Sequence, residues 1–310
     1  MTSIIQQRGV AIITALLIVA IATTVSVTIS TRLQLDVRRT GNIISGDQAY
    51  LYTLAAESWS QRILKDDREE NEIDHLEENW AIELPPLPVE GGYIQGKLTD
   101  LQSCFNLNSV LDDNADNPLA RTRLERLLNN FGIDIGHAQA IIDWLDNDLQ
   151  TTIPDGAEDV YYMNLERPYR TANNPMLSVS ELRLIRGFDD PQVYDTLLPH
   201  ICAFGVSTPI NVNTASAEVL RSLADELGEA DAEKIIEQRN ESAFNDINEF
   251  TSSNDLKKII ASTEGLSVDT EYFMLTTEST IGQVNVITYS IIHRTGEGDT
   301  TVIARSQGVY

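Results

Sequence analysis

The richest source of ligand-type side chains in this chain of 310 residues lies between positions 143 and 175. It reads Asp143-Trp144-Leu145-Asp146-Asn147-Asp148, then Pro154-Asp155-Gly156-Ala157-Glu158-Asp159, then Tyr169-Arg170-Thr171-Ala172-Asn173-Asn174-Pro175. Hard cations such as calcium take six to eight oxygens from carboxylates, amides and backbone carbonyls. Asp146 and Asp148 stand two apart at a helix end, with Glu158 and Asp159 across a glycine-bearing loop, and these four are the candidate metal ligands. The order of an EF-hand loop is absent, and a solvated acidic loop is the competing reading. A carboxylate pair for glycoside hydrolysis has no supporting residues beside it.

Other catalytic chemistry finds no foothold. His75, His137, His200 and His293 are scattered, none within an HExxH, and there is neither a GxSxG nor a Walker-type loop. The cysteines are Cys104 and Cys202 only. Two exclude a disulfide scaffold and a four-cysteine zinc site, leaving room for one bridge. Asp and Glu number 47 against 22 Lys and Arg, a formal charge of −25. A body this acidic repels a polyphosphate backbone, so nucleic acid is an improbable partner; cations and basic partners suit it. The motifs and composition give no support for an enzyme.

The elements that position these residues begin with a membrane-length run. Val10 to Ser30 is uncharged, and at 1.5 Å per residue its 21 residues span roughly 30 Å, a bilayer's hydrocarbon thickness. Arg8 precedes it, whereas Arg32, Arg38 and Arg39 follow, so loop charge does not by itself favour an exported body. No proline interrupts the chain from Val10 to about Lys65, and Leu33, Val37, Ile44, Leu51, Leu54, Ala55 and Ile63 keep a helical rhythm. One helix is expected, apolar at first and then amphipathic, its apolar face laid on a globular body with Tyr50, Tyr52 and Trp59 as core contacts. Residues 66–90 hold ten acids and one base, followed by prolines and Gly91-Gly92; this reads as a solvated connection. Tyr93–Asp100, Tyr272–Ser279, Val284–Arg294 and Thr301–Ser306 read as strands, whereas residues 105–262 read as helical. A sheet is thus split by a large insertion.

The insertion holds an internal repeat. Phe105-Asn106-Leu107-Asn108-Ser109 is echoed by Ile210-Asn211-Val212-Asn213-Thr214, each followed by a helix, a glycine turn and a second helix. Asn108-Ser109 and Asn213-Thr214 are the expected helix caps. This pattern resembles the helix-hairpin-helix module of DNA-binding proteins, and a membrane-anchored DNA-binding protein of a competence-type pilus is the alternative function. Asp134, Glu229 and Asp231 at the turns would repel a phosphate there.

The amino terminus resembles the type IV pilins and pseudopilins: a short polar leader ending in Gly9, then Val10-Ala11 opening the long apolar helix. The resemblance implies cleavage by a prepilin peptidase between Gly9 and Val10 and methylation of the new Val10 amine. Thr14 departs from the usual pilin glutamate at that position. Further along, Ile142-Asp143-Trp144-Leu145-Asp146, Gly156-Ala157-Glu158-Asp159, Pro168-Tyr169-Arg170-Thr171-Ala172-Asn173, Ser180-Glu181-Leu182-Arg183 and Ile210-Asn211-Val212-Asn213-Thr214-Ala215 together resemble the minor pseudopilin K (general secretion pathway protein K) family of the type II secretion system. That likeness implies an α+β fold: a long N-terminal transmembrane α-helix and a pseudopilin-type antiparallel sheet with a large α-helical insertion containing two helix-hairpin-helix-like repeats. The segments expected are a prepilin leader at 1–9, a transmembrane helix at 10–32 and its amphipathic continuation at 33–65. A linker and first strand at 66–104, the insertion at 105–262 and the last strands at 263–310 follow. It further implies Ca2+ in the insertion and no catalytic activity. The implied partners are minor pseudopilins I and J, with H and the major pseudopilin G, and the prepilin peptidase. It places a single-pass protein in the inner membrane, its body in the periplasm, at the tip of the pseudopilus after assembly. In that compartment Cys104 and Cys202 can form a disulfide; two buried thiols are the other reading.

Overall fold

Helix α1 spans Arg8–Glu70, at 63 residues about 95 Å long. The structure, a computed structural model, describes residues 8–83, 85–113 and 115–308, without the side chains of residues 8, 9 and 253–255. Of the expected leader, residues 1–7 lie outside the described residues. From Val10 to Ile44 the apolar side chains of α1 stand bare, Leu17 at 58% and Ile29 at 61% exposure. Among the described residues α1 is the one helix long and apolar enough to cross a membrane.

The lower part of α1 lies on the body, but not by the expected face. Ala49, Thr53, Glu57, Ser60 and Leu64 are buried against the sheet, whereas Leu33, Val37, Ile44 and Leu51 remain 61–64% exposed. At 100° per residue the two stripes are about half a turn apart. The polar stripe seats because its polar atoms find partners: Ser290 donates to Glu57 at 2.7 Å and Arg305 Nε at 2.9 Å. Tyr50 and Tyr52 pack beside Ala49, Ile281 and Val286 as expected; Trp59 does not, at 48% exposure.

The sheet has five strands, β1 (Leu87–Val89), β2 (Gly92–Asp100), β3 (Tyr272–Ile281), β4 (Val284–Arg294) and β5 (Thr300–Gln307). They lie in chain order, each antiparallel to the next. The insertion leaves after β2 and returns before β3. Alternation decides which layer each residue joins. Leu98, Phe273, Leu275 and Ile292 meet Leu64 of α1 and Trp80, while Met274 and Ile291, paired across β3 and β4, enter the insertion's core. The sheet is therefore covered on both faces.

Residues 66–90 are solvated only in part: Asp66, Glu69, Glu70, Glu72, Glu77, Glu83 and Glu90 are exposed as expected, but other parts of the segment are tied to the body. Helix α1 continues through Glu70, and Asp67, Asp74, Glu78 and Trp80 are all buried. Asp67 and Asp74 are held by Arg294, at the far end of the sequence, a partner that local composition does not show.

In the insertion the repeat is real, but its caps differ from the expected ones. Asn117 caps α2 (Pro118–Asn130), which passes Gly132 into α3 (His137–Leu145). Ser216 caps α4 (Ala217–Arg221), followed by α5 (Glu229–Glu241). The repeated asparagines instead clamp backbone. Asn106 and Asn211 each accept the amide two residues on at 3.0 Å. Asn108 exchanges two hydrogen bonds with the Met176 backbone at 2.8 and 3.0 Å, and Asn213 two with Phe244 at 2.9 and 3.0 Å. Each copy also makes a two-residue parallel bridge, Phe105-Asn106 with Ile201-Cys202 and Ile210-Asn211 with Leu266-Ser267. The insertion thus runs past 262 to Ser267. Cys104 and Cys202 are joined as a disulfide, their Cα atoms 5.8 Å apart.

Candidate metal centre

The acidic segment folds around the C-terminal end of α3. Ala138, Ala140, Ile141, Ile142, Trp144 and Leu145 bury that helix in the core, and Asp146, in extended conformation as its C-cap, turns the chain outward. Asp146 accepts the Asp148 amide at 3.1 Å, and Asp148 accepts that of Gln150 at 2.6 Å. Asp143, fully buried, accepts the Thr152 amide at 3.1 Å. Gly156 is obligatory beside it, because a Cβ there would stand 2.5 Å from the Thr152 carbonyl oxygen. The chain then presents Glu158, 1% exposed.

Carboxylate oxygens of Asp146, Asp148 and Glu158 lie within 4.8 Å of one another. Glu158 Oε2 accepts the Asp159 amide and the Thr171 hydroxyl, each at 3.2 Å. Its Oε1 is buried with no hydrogen-bond partner. The Oδ1 of Asn173 is in the same condition, while the rest of Asn173 is fixed by bonds to the Asp148 and Trp144 carbonyls at 3.1 and 3.0 Å. Burial pushes Glu158 up to about 7, with Asp143 and Asp146 adding to the rise and bonds from Asp159 and Thr171 opposing it. Asp146 is raised by burial and by the charges of Asp148 and Asp143.

Two orphaned buried oxygens beside converging carboxylates suit an oxygen-seeking divalent cation, since each acceptor without a donor costs free energy that a metal would recover. Asp159 is placed differently: it accepts the Thr171 amide and hydroxyl at 3.0 Å and faces Arg170 at 3.8 Å. Asn173 supplies a buried oxygen that carboxylate counting does not select; its backbone stands at φ 47°, a conformation in which asparagine is enriched, and the sequence alone carried no signal for it. A second group, Asp67, Asp74 and Glu78, has the same spacing, but the Arg294 guanidinium already lies among its carboxylates.

At the hairpin turns the amides that a phosphate would need are taken by carboxylates. Asp134 accepts the Gly136 amide at 2.9 Å and Asp231 that of Gly228 at 3.3 Å. At the membrane end, Thr14 Oγ1 donates back to the Val10 and Ala11 carbonyls at 3.1 and 3.0 Å.

Residues 103–206 and 210–269 match family models described as type II secretion system (T2SS), protein K. The break between them falls between the two repeated units. The chain is 31% identical to the type II secretion system protein K of Aeromonas hydrophila, over 99% of each chain. It is 34% identical to that of Pseudomonas aeruginosa, over 97% of this chain and 93% of the relative. Among solved structures it resembles a chain of the GspK-GspI-GspJ complex from enterotoxigenic Escherichia coli, with a TM-score of 0.78 and 28% identity over 88% of this chain and all of the other. With the bare apolar helix, the five-stranded sheet and the doubled insertion in agreement, the chain belongs to the type II secretion system protein K family and is a minor pseudopilin of that system.

Proposed function

We propose that this minor pseudopilin caps the tip of the periplasmic pseudopilus and helps initiate its assembly for export of folded proteins. The observation that carries the reading is Thr14. A pilin glutamate at this place is thought to pair with the amino terminus of the subunit ahead, and an unpaired carboxylate is costly in lipid. The Thr14 hydroxyl is satisfied within its own helix, so the helix has no charge that needs a subunit above it. The insertion, bulky beside the sheet, supports the same end position.

The apolar stripe Leu33, Val37, Ile44 and Leu51, left free by the body, suits contact with helices of minor pseudopilins I and J, with H and the major pseudopilin G further along. The solved relative comes from a complex of K, I and J. In this reading the prepilin peptidase cuts between Gly9 and Val10 and methylates Val10. Helix α1 anchors the chain in the inner membrane, with the body in the periplasm, and Ca2+ sits on Asp146, Asp148 and Glu158, with Asp159 orienting Thr171 beside them. Bound calcium would replace mutual repulsion of these carboxylates by shared coordination.

The body from about residue 33 onward should co-purify with I and J, and immunogold labelling of purified pseudopili should mark one end. Label at regular intervals along the shaft would refute the cap.

A further inference from the structure

Four carboxylates and one guanidinium meet where α1, the segment after it, β2, β4 and the second repeat join. Arg294, 2% exposed, donates through Nη1 to Asp67 at 2.9 Å and to the Leu64 carbonyl at 3.1 Å. Through Nη2 it reaches both Asp74 oxygens and the Thr270 carbonyl. Asp74, fully buried, also accepts the Thr270 amide at 2.7 Å. Glu78 accepts from Asn71 at 2.8 Å, the His75 amide at 2.9 Å and Trp80 Nε1 at 2.7 Å. Beside Asp74, Asp100 takes donors from Gln102, Thr214, Thr270 and Asn211. Asn211 also donates to the Asp74 carbonyl at 3.0 Å.

This is the bolt between the two halves of the molecule. Asn211 and Thr214 belong to the second repeat; Asp67, Asp74, Asp100 and Arg294 belong to α1, its following segment and the sheet. In the first repeat the equivalent Asn106 amide stays within the insertion, on Val206 and Thr208. The second copy's asparagine is turned to the body.

The charges do not balance. The other ionisable groups facing the cluster are His75, 3.7 Å from Glu78, and the Arg68–Asp269 pair at 3.6 Å, whose guanidinium also donates to the Glu72 and Gly296 carbonyls. Buried carboxylates in excess of their cations are costly unless one is neutralised. We propose that this junction is a proton-binding site: one proton held by the Asp67 and Asp74 pair lessens the excess of buried negative charge, and loss of that proton loosens the insertion on the pseudopilin body. Asp67 is the bearer on geometry, because its side chain has a single donor, Arg294, against several at Asp74 and Glu78. Burial, with Glu78 and Asp74 adding, raises Asp67 from 3.8 to about 7. A carboxyl raised on folding binds a proton that the unfolded chain has already lost. Its stabilisation is therefore complete below about 3.8, shrinks as pH rises from there, and is gone above about 7.

The test uses the full chain in detergent with calcium throughout, so that the insertion's acidic site stays ionised. Wild type and Asp67→Asn are compared from pH 5.5 to 8.5 by melting and by hydrogen exchange. The wild type should melt several degrees lower at the alkaline end. Protection of the Asp74, Asn211 and Thr270 amides, corrected for intrinsic exchange, should fall by up to about tenfold per pH unit from pH 5.5 to about 7 and level off above it. Asp67→Asn, which keeps an oxygen for Arg294 and offers a donor to its neighbours, should match the wild type at pH 5.5 and remain flat. Parallel curves for the two proteins overturn the proposal. If the variant fails to fold, 13C carboxyl titration of the wild type decides: an aspartate with a midpoint between 6 and 8 upholds it, and none overturns it.

Discussion

Glu158 illustrates how one oxygen can define a site. Its Oε2 is fully engaged and its Oε1 is buried without a donor, so the metal-free centre holds an uncompensated acceptor. Calcium binding to the native state alone stabilises by about 2.7 kcal/mol at a hundredfold excess over Kd. Chelation should lower Tm and calcium restore it, whereas Glu158→Gln should melt at the same temperature with or without the ion. Because Glu158 is raised from 4.5 to about 7, calcium must displace a proton below that pH, and affinity should fall by about tenfold per pH unit there. Without metal the sign is opposite: protonation favours the folded state as pH falls from about 7 towards 4.5. Calorimetric titrations at pH 5.5 and 8 separate the two effects. At the membrane end, Gly9→Ala should block leader cleavage, seen as a retained slower gel band. If the chain caps the filament as proposed, Thr14→Glu should still be cut, with no gain in assembly, because a cap has no subunit above it to meet the new carboxylate.

At the scale of elements, α1 has two faces with separate tasks. Leu64 is fully buried under the sheet, and Leu51 is 64% exposed on the opposite side. Leu64→Ala should cost about 2–5 kcal/mol of body stability through transfer and cavity terms, read by denaturant unfolding. Leu51→Glu should leave that stability within about 0.5 kcal/mol while weakening co-purification with I and J. Equal loss of stability in both variants would place Leu51 in the body's own core instead. The Cys104–Cys202 bridge, joining residues 98 apart, restrains the unfolded chain around the first repeat. Replacing both by serine should lower stability by about 2–4 kcal/mol, with the second repeat's Asn213–Phe244 clamp still protected in hydrogen exchange.

For the whole molecule, the insertion is tied to the sheet by packing and by the buried polar junction. Phe204 rests on Tyr272 at 5.2 Å, Met274 and Ile291 enter the insertion's core, and Asn211 and Thr214 reach Asp100. Deleting residues 105–262 therefore removes more than a decoration: it uncovers one face of β3 and β4 and strips Asp100 of two donors. The shortened chain should still be processed after Gly9, because the proposed cleavage site lies at the other end of α1. Its tip formation should be weakened, measured as the number of pseudopili per cell.

What the sequence determined by itself was whatever local chemistry decides. The uncharged run from Val10 to Ser30 fixes a membrane-length helix by its hydropathy, and Val284–Arg294 reads as a strand that the structure reproduces residue for residue. The doubled Asn-x-Asn segments announce a repeat whose two copies do make equivalent bonds. Asp146, Asp148 and Glu158 were legible as a group because a short loop brings them together. Tertiary structure decided the rest. Apolar periodicity shows that α1 has a greasy face, but which face the body takes depends on Glu57 finding Ser290 and Arg305 more than 230 residues away. Residues 66–90 look solvated by charge count, because the neutralising Arg294 lies 227 and 220 positions from Asp67 and Asp74. Asn173 is brought to the Asp148 carbonyl, 25 positions away, only by the fold of its loop. Local sequence sets propensity and spacing; long-range pairing of buried charge and hydrogen-bonding groups, which no local window contains, sets which surfaces close.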